Sequence, residues 1–199
     1  MGERNNLFPI FLKAEELKIL LVGGGNVGLE KLEAILKNSP KAKIKIVAEE
    51  FRRKEIGDIA RKNDNIKLFE RAFTDKDLDD IDLVMLATDS RDLHVKIRSL
   101  AKKNSLLVNV ADTPDLCDFY LGSTVTKGNL KIGISTNGKS PTLSKRMRQY
   151  LEESIPDDID ELIDQLVEIR KQLKGDFDYK VNQLNEITAS WLKKNKKDQ

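Results

Sequence analysis

Six residues, Gly23-Gly24-Gly25-Asn26-Val27-Gly28, constrain the fold more than any other part of this chain. They read G-x-G-x-x-G. The apolar run Lys18-Ile19-Leu20-Leu21-Val22 precedes them, with the length and composition of a buried strand. Leu29-Glu30-Lys31-Leu32-Glu33-Ala34-Ile35-Leu36 follows them, with apolar residues at helical spacing. Strand, glycine turn and helix in that order are the context in which this motif binds a dinucleotide. Gly23 permits the tight turn, Gly25 lets the backbone approach a pyrophosphate, and Gly28 brings the helix close to the strand. Asn26 and Val27 open the helix, whose unpaired N–H groups suit phosphate oxygens.

Residues 44–48 read as the next strand, and Glu49 and Glu50 follow it. They stand roughly 20 residues beyond the glycine turn, where a carboxylate holds the adenosine ribose hydroxyls. A carboxylate there repels the extra phosphate of NADP, so NAD is the expected cofactor. Arg52 and Arg53 soften that preference. The alternative is a glycine turn in another α/β protein, with both glutamates simply exposed.

Composition narrows the partners. Lys plus Arg (35) nearly balances Asp plus Glu (33), which gives no electrostatic footprint for nucleic acid. The single cysteine, Cys117, cannot form an internal disulfide and fits a reducing compartment. No apolar run reaches the length of a membrane span. Residues 1–6 are polar and lack a signal-peptide core. The expectation is a cytoplasmic protein with neither a membrane nor a nucleic-acid partner.

Strands are predicted over 18–22, 44–48, 66–70, 83–88 and 106–111, and helices over 27–37, 53–62 and 93–103. Only a short turn or helix is expected near 75–80. This alternation predicts an α/β fold, a doubly wound parallel sheet of the Rossmann type with helices on both faces. The rhythm breaks after Asp112. Thr113-Pro114-Asp115 is turn chemistry. Residues 123–126 and 131–135 flank Lys127-Gly128-Asn129 and read as a β-hairpin. Ser140-Pro141 reads as an N-cap with proline at the first helical position, opening a helix over 142–152.

Past Pro156, Ile159, Leu162, Ile163, Leu166, Ile169 and Leu173 recur at helical spacing, and Gly175 closes that helix. Phe177, Val181, Leu184, Ile187, Trp191 and Leu192 form a second stripe. Both stripes read as packing surfaces, with substrate contact as the alternative. The charged end, 193–199, is expected to fray.

Five stretches, taken in order, resemble the precorrin-2 dehydrogenase family of siroheme synthesis. They are Phe8-Pro9-Ile10-Phe11-Leu12, the Gly23–Gly28 turn, Ala87-Thr88-Asp89, Asn109-Val110-Ala111-Asp112 with Cys117-Asp118-Phe119, and Ile134-Ser135-Thr136-Asn137-Gly138-Lys139-Ser140-Pro141. The glycine turn is generic, whereas the last two stretches are specific in combination. The resemblance covers about residues 7–155. It implies NAD-dependent oxidation of precorrin-2 to sirohydrochlorin and a homodimer. It also implies a second activity in some members, insertion of iron or cobalt into the product. The implied domains are 1–112 for NAD, 113–150 for dimerisation through the hairpin and following helix, and 151–199 as a small C-terminal helical domain.

Asp112 occupies the family's key aspartate position, just past the fifth strand, where open parallel sheets place ligands. Its carboxylate could take a substrate proton or accept from pyrrole N–H groups. A turn-forming aspartate before Thr113-Pro114 is the plainer reading of the residues alone. Thr88, ending the fourth strand, is placed beside the cofactor. Lys139, Lys145, Arg146 and Arg148 cluster at a helix start, which suits the substrate's carboxylates, although a solvated face is equally compatible. Ser135 and Thr136 could contact substrate or satisfy local backbone. His94, the only histidine, and Cys117 read as packing residues, and no protein-bound metal site is expected. Gly122 and Thr126 depart from the family's usual proline and aspartate, which bears on the metal-insertion activity. Two other functions fit the glycine turn: an NAD-sensing module without turnover, and a dehydrogenase of another small metabolite.

Overall fold

The computed structural model describes residues 4–194, the side chains of 190–194 excepted. The side chains of Trp191 and Leu192 in the second stripe, and residues 195–199 at the charged end, lie outside it. The chain forms two compact units. One is Phe8–Leu121; the other is Gly122–Gln199 together with Met1–Leu7.

The first unit alternates β1 (Lys18–Val22), α1 (Asn26–Asn38), β2 (Lys43–Ala48), α2 (Lys54–Arg61), β3 (Ile66–Glu70), β4 (Leu83–Leu86), α3 (Arg91–Lys103) and β5 (Leu107–Val110). A single 3-10 turn, Asp75–Leu78, connects β3 to β4. All five strands are parallel, in the order β3-β2-β1-β4-β5. The chain winds outward from β1 through β2 to β3, then crosses back to continue through β4 to β5. Right-handed crossovers in the two opposite directions put helices on both faces. Alternation along β1 shows this directly. Ile19 and Leu21 pack with Leu29, Leu32 and Ile35 of α1 and Ile56 of α2. Leu20 and Val22 pack with Ile97 and Ala101 of α3. Burial on both faces is why the strand reads as one continuous apolar run.

β4 and β5 are shorter than the sequence pattern predicts. Thr88 therefore stands two residues past its strand rather than at the strand end, and Asp112 two residues past its strand rather than one. Pairing stops with the bonds from Ala87 N–H to Val22 O (2.8 Å) and from Ala111 N–H to Leu86 O (2.9 Å). Beyond them β1 has already turned away at Gly23, so the ladder has no neighbour to continue on.

The segment after Asp112 folds back along β5. Asp118 N–H donates to Val108 O (2.7 Å), and its carboxylate accepts from Val108 N–H (3.0 Å) and Arg98 Nη2 (2.8 Å). Asn109 Nδ2 donates to Phe119 O (2.8 Å). These bonds keep residues 113–121 in the sheet unit and cover an otherwise open edge.

The second unit contains the antiparallel hairpin β6 (Ser123–Lys127) and β7 (Leu130–Ile134), then α4 (Pro141–Ser154), α5 (Ile159–Gln172) and α6 (Phe177–Lys194). Gly128 takes the left-handed turn position at φ +52°. Val125 is fully buried at the centre. Ser140 Oγ accepts the Leu143 N–H (3.2 Å), so α4 starts on the expected cap. Asp160 of α5 ties the hairpin turn down by accepting from Asn129 N–H (2.7 Å) and Nδ2 (2.9 Å). The tail packs less than its stripes predict. No residue of α5 is buried, and Phe177 and Val181 of α6 stay exposed. An amphipathic pattern records a face that can be buried, and within this chain the described residues cover it only in part: Ile159, Leu162, Ile163, Leu166 and Ile169 are half-buried.

Candidate functional site

The glycine loop is built by close backbone approach at three points, one of them Gly24, where a Cβ would come 2.4 Å from the Glu50 carbonyl oxygen. Gly23, at φ +130°, lies against Ala87, where a Cβ would come 2.2 Å from the carbonyl oxygen. Gly28 backs onto Gly23, where a Cβ would come 2.3 Å from its carbonyl oxygen. Gly25 differs: an added Cβ meets nothing within 4 Å. Gly25 is also the N-cap of α1 and supplies no side-chain acceptor. The first-turn N–H groups of α1, from Asn26, Val27 and buried Gly28, thus border open space with the positive end of the helix dipole behind them. This cradle fits a diphosphate.

Arg53 fastens the loop from outside. Its backbone N–H donates to Gly24 O (3.3 Å) and its Nη1 to Asn26 Oδ1 (3.2 Å). Past β2, Glu49 and Glu50 are both exposed. Arg52 lies 3.2 Å from the Glu50 carboxylate and 3.8 Å from that of Asp89. The acidic end of the loop therefore carries two arginines among its carboxylates.

On the other side of the loop, an open cleft is lined by Val27, Thr88, Asp89, Arg91, His94, Ala111, Asp112 and Thr113. Three separate connections meet here: the first turn of α1, the β4–α3 loop and the turn after β5. Asp112 is exposed and sits at φ +54°, in the left-handed region. Its neighbours hold it there. Ala111 N–H is bonded to Leu86, and buried Thr113 donates its hydroxyl to Ala111 O (3.1 Å). Aspartate tolerates this conformation better than most residues, yet holding it costs about 1 kcal/mol. Asp80, Ser105 and Asn137 take the same left-handed conformation, and of the four only Asp112 lines this cleft.

His94 is buried in that cleft. It belongs to the inward stripe of α3 with Ile97 and Ala101, and its Nε2 lies 2.9 Å from Thr88 Oγ1. Burial, reinforced by the nearby Arg91 cation, holds its imidazole below the ordinary histidine range, against the opposing pull of Asp89. Sequence reasoning assigned His94 to packing alone. The spacing of His94, Ile97 and Ala101 already put it on the sheet-facing side, but only the fold shows that this side opens onto the cleft. Cys117 does pack: its Sγ accepts from Val110 N–H (3.2 Å), and burial pushes the thiol up.

The sheet unit brings together the loop glycines, Asn26, Val27, Glu49, Glu50, Thr88 and Asp112. Ser135, Thr136, Lys139 and Arg146 belong to the other unit. Thr136 is committed to its own fold: its hydroxyl donates to Ser140 O (3.1 Å), accepts from Ser140 N–H (3.2 Å) and lies 3.2 Å from Ser144 Oγ. Ser135 Oγ accepts the Asn137 N–H (3.2 Å). Lys139 is exposed, and Lys145 and Arg146 border a shallow depression with Thr142 and Gln149 on α4. Arg148 pairs with Glu152 of its own helix (3.3 Å). Among the described residues, no group of three or more His, Cys, Asp or Glu is arranged to hold a metal ion. No described helix is long and apolar enough to cross a membrane.

Comparison with known proteins gives two consecutive family matches. Residues 10–123 match an NAD(P)-binding family, and residues 127–154 match the central segment of sirohaem biosynthesis proteins. The siroheme synthase of Vesicomyosocius okutanii subsp. Calyptogena okutanii is 32% identical over 174 residues, 86% of this chain and 36% of that protein. The siroheme synthase of Pseudoalteromonas translucida is 34% identical over 169 residues, 85% of this chain and 35% of that protein. The chain thus spans about a third of the length of these relatives. A solved structure of SirC, precorrin-2 dehydrogenase, aligns with a TM-score of 0.69 at 24% identity, covering 91% of this chain and 89% of that one, and shares the fold.

Proposed function

Because the chain belongs to the siroheme-synthase-like family of NAD(P)-binding proteins, we propose that it oxidises precorrin-2 to sirohydrochlorin with NAD. The observation that carries this reading is Asp112, held at φ +54° in a cleft that also contains the first turn of α1. The reaction removes one hydride and one proton from the substrate and yields NADH. The cofactor supplies the hydride acceptor.

The chain's own residues do the rest. The N–H groups of Asn26, Val27 and Gly28 hold the diphosphate, with Gly25 leaving room for it. Glu49 and Glu50 take the adenosine ribose hydroxyls and set a preference for NAD over NADP, moderated by Arg52 and Arg53. Thr88 stands beside the nicotinamide end. Asp112 accepts the substrate proton or a pyrrole N–H, and its exposure leaves the carboxylate accessible to a large ring. The acidic side chains of the substrate are assigned to Lys139 and Arg146, with the Ser135 hydroxyl as a further donor, whereas the expected contact from Thr136 is given up to its bonds with Ser140 and Ser144.

We place the protein in the cytoplasm as a homodimer. Residues 1–112 serve the cofactor, 113–150 dimerisation and 151–199 form the accessory helical domain. Leu143, Met147 and Tyr150 support the dimer: they lie along one side of α4 and are 52%, 40% and 63% exposed. The decisive experiment is anaerobic incubation with precorrin-2 and NAD, following NADH formation, then addition of ferrous or cobaltous ion. Asp112→Asn keeps the backbone conformation and NAD binding, and should lower turnover by about 10²- to 10⁴-fold. Normal turnover in that variant removes the role given to Asp112.

A further inference from the structure

His94 is a buried titratable group of the cleft that the proposed reaction leaves unused. It is 4% exposed, yet it lines the same opening as Val27, Thr88 and Asp112. Strand order fixes which end of a dinucleotide it would meet. β2, which carries the acidic residues, and β4, which leads to Thr88, flank β1 on opposite sides. A dinucleotide crossing the glycine loop with its adenosine toward β2 brings its nicotinamide toward β4 and β5, the side on which His94 lies.

We propose that neutral His94 is a positioning residue for the oxidised cofactor, fixing the Thr88 hydroxyl at the cleft, and that protonating it selects against NAD relative to NADH. This rests on the nicotinamide-cofactor reading above. The nicotinamide ring of NAD is cationic and that of NADH is neutral. A neutral imidazole 2.9 Å from Thr88 Oγ1 restrains that hydroxyl without adding charge. An imidazolium at the same place repels the oxidised ring and is indifferent to the reduced one.

The surroundings favour the neutral form. His94 lies in the first turn of α3, where the helix dipole disfavours a cation. Burial and Arg91 act in the same direction, and Asp89 acts against them. Arg91 is itself partly offset by Asp115 at 3.1 Å, and Asp112 is the remaining charge lining the cleft.

The chain's single histidine makes the test direct. The untagged protein is titrated with NAD and with NADH by calorimetry from about pH 8 down to a pH at which NMR shows His94 protonated, which lies below the ordinary histidine range. The imidazole is followed by NMR when free and in each complex. The ratio of the NAD to the NADH dissociation constant should rise at least about tenfold as His94 protonates, the effect of one charge about 12 Å away at an effective dielectric of about 20. By reciprocity, His94 should protonate at lower pH in the NAD complex than in the NADH complex. His94→Gln, whose side-chain amide reaches the position of Nε2, retains a partner for Thr88 without a titrating group. It should bind NAD and lose the pH dependence of the ratio.

A flat ratio in the wild-type protein overturns the proposal, as does an unchanged pH dependence in His94→Gln. If that variant does not fold, the wild-type NMR comparison decides alone. Binding of neither cofactor at any pH overturns both this proposal and the reading beneath it.

Discussion

Gly25 and Gly28 lie three residues apart in one loop, yet replacing each with alanine should have opposite consequences. Gly25 has φ −92° and ψ −164°, extended backbone that alanine adopts without strain. Its Cβ would meet no atom within 4 Å. Alanine is a poorer N-cap by about 0.5–1 kcal/mol, while the stiffer unfolded chain returns about 0.4–1 kcal/mol. These nearly cancel, so Tm should move by no more than about 2–3 °C. The methyl group nevertheless stands where a diphosphate must approach. Losing two charge-assisted hydrogen bonds at about 1.5–3 kcal/mol each weakens NAD binding at least about 100-fold.

Gly28→Ala instead drives a methyl to 2.3 Å from Gly23 O and must push α1 away from the turn. Overpacking of this kind costs about 1–3 kcal/mol, which lowers Tm by about 2–10 °C. Thermal melts and calorimetric NAD titrations on the two variants separate the effects. A Gly25→Ala protein that keeps wild-type NAD affinity would refute the assignment of this loop as the phosphate cradle.

Three further outcomes are expected. Asp112→Gly should relieve the left-handed backbone and hold or raise Tm, whereas Asp112→Ala should cost about 1 kcal/mol and lower Tm by about 2–4 °C; neither should turn over precorrin-2, as melts and NADH formation will report. Asp77 is 1% exposed and is bound by Arg71 through two 2.7 Å bonds, by Lys45 at 2.8 Å and by Thr74 N–H at 2.9 Å. The Arg71 bonds, with help from Lys45 and Thr74, outweigh burial and hold its carboxyl well below the ordinary carboxylate range. Its stabilisation should be complete above about pH 4 and fade as acid is added below that, a dependence that acid melts should find diminished in Asp77→Asn. Finally, Met147→Lys with Tyr150→Lys should shift the protein from dimer to monomer in sedimentation while leaving NAD affinity intact; an unchanged dimer would place the interface elsewhere.

Much of the sheet unit was legible because its signals are local. An apolar run buried on both faces, a glycine turn and an amphipathic helix each announce themselves within a dozen residues. That the strands run parallel followed from their alternation, whereas the order β3-β2-β1-β4-β5 emerges only in the fold. Ser140-Pro141 marked the start of α4 for the same reason, since a cap is a contact between near neighbours. The amino-acid sequence alone therefore determined the α/β class, the glycine loop and the hairpin.

The tertiary structure decided what depends on distant neighbours. β1 ends at its glycine turn, so β4 and β5 stop early and leave Thr88 and Asp112 free of the ladder. Asp118 folds residues 113–121 back on β5, a pairing across ten residues that no periodicity records. His94 changes from a packing residue into a cleft residue only when α3 settles on the sheet with its first turn at the open edge. Side-chain patterns encode which faces seek burial, whereas the location of a cleft depends on where separate segments stop covering one another.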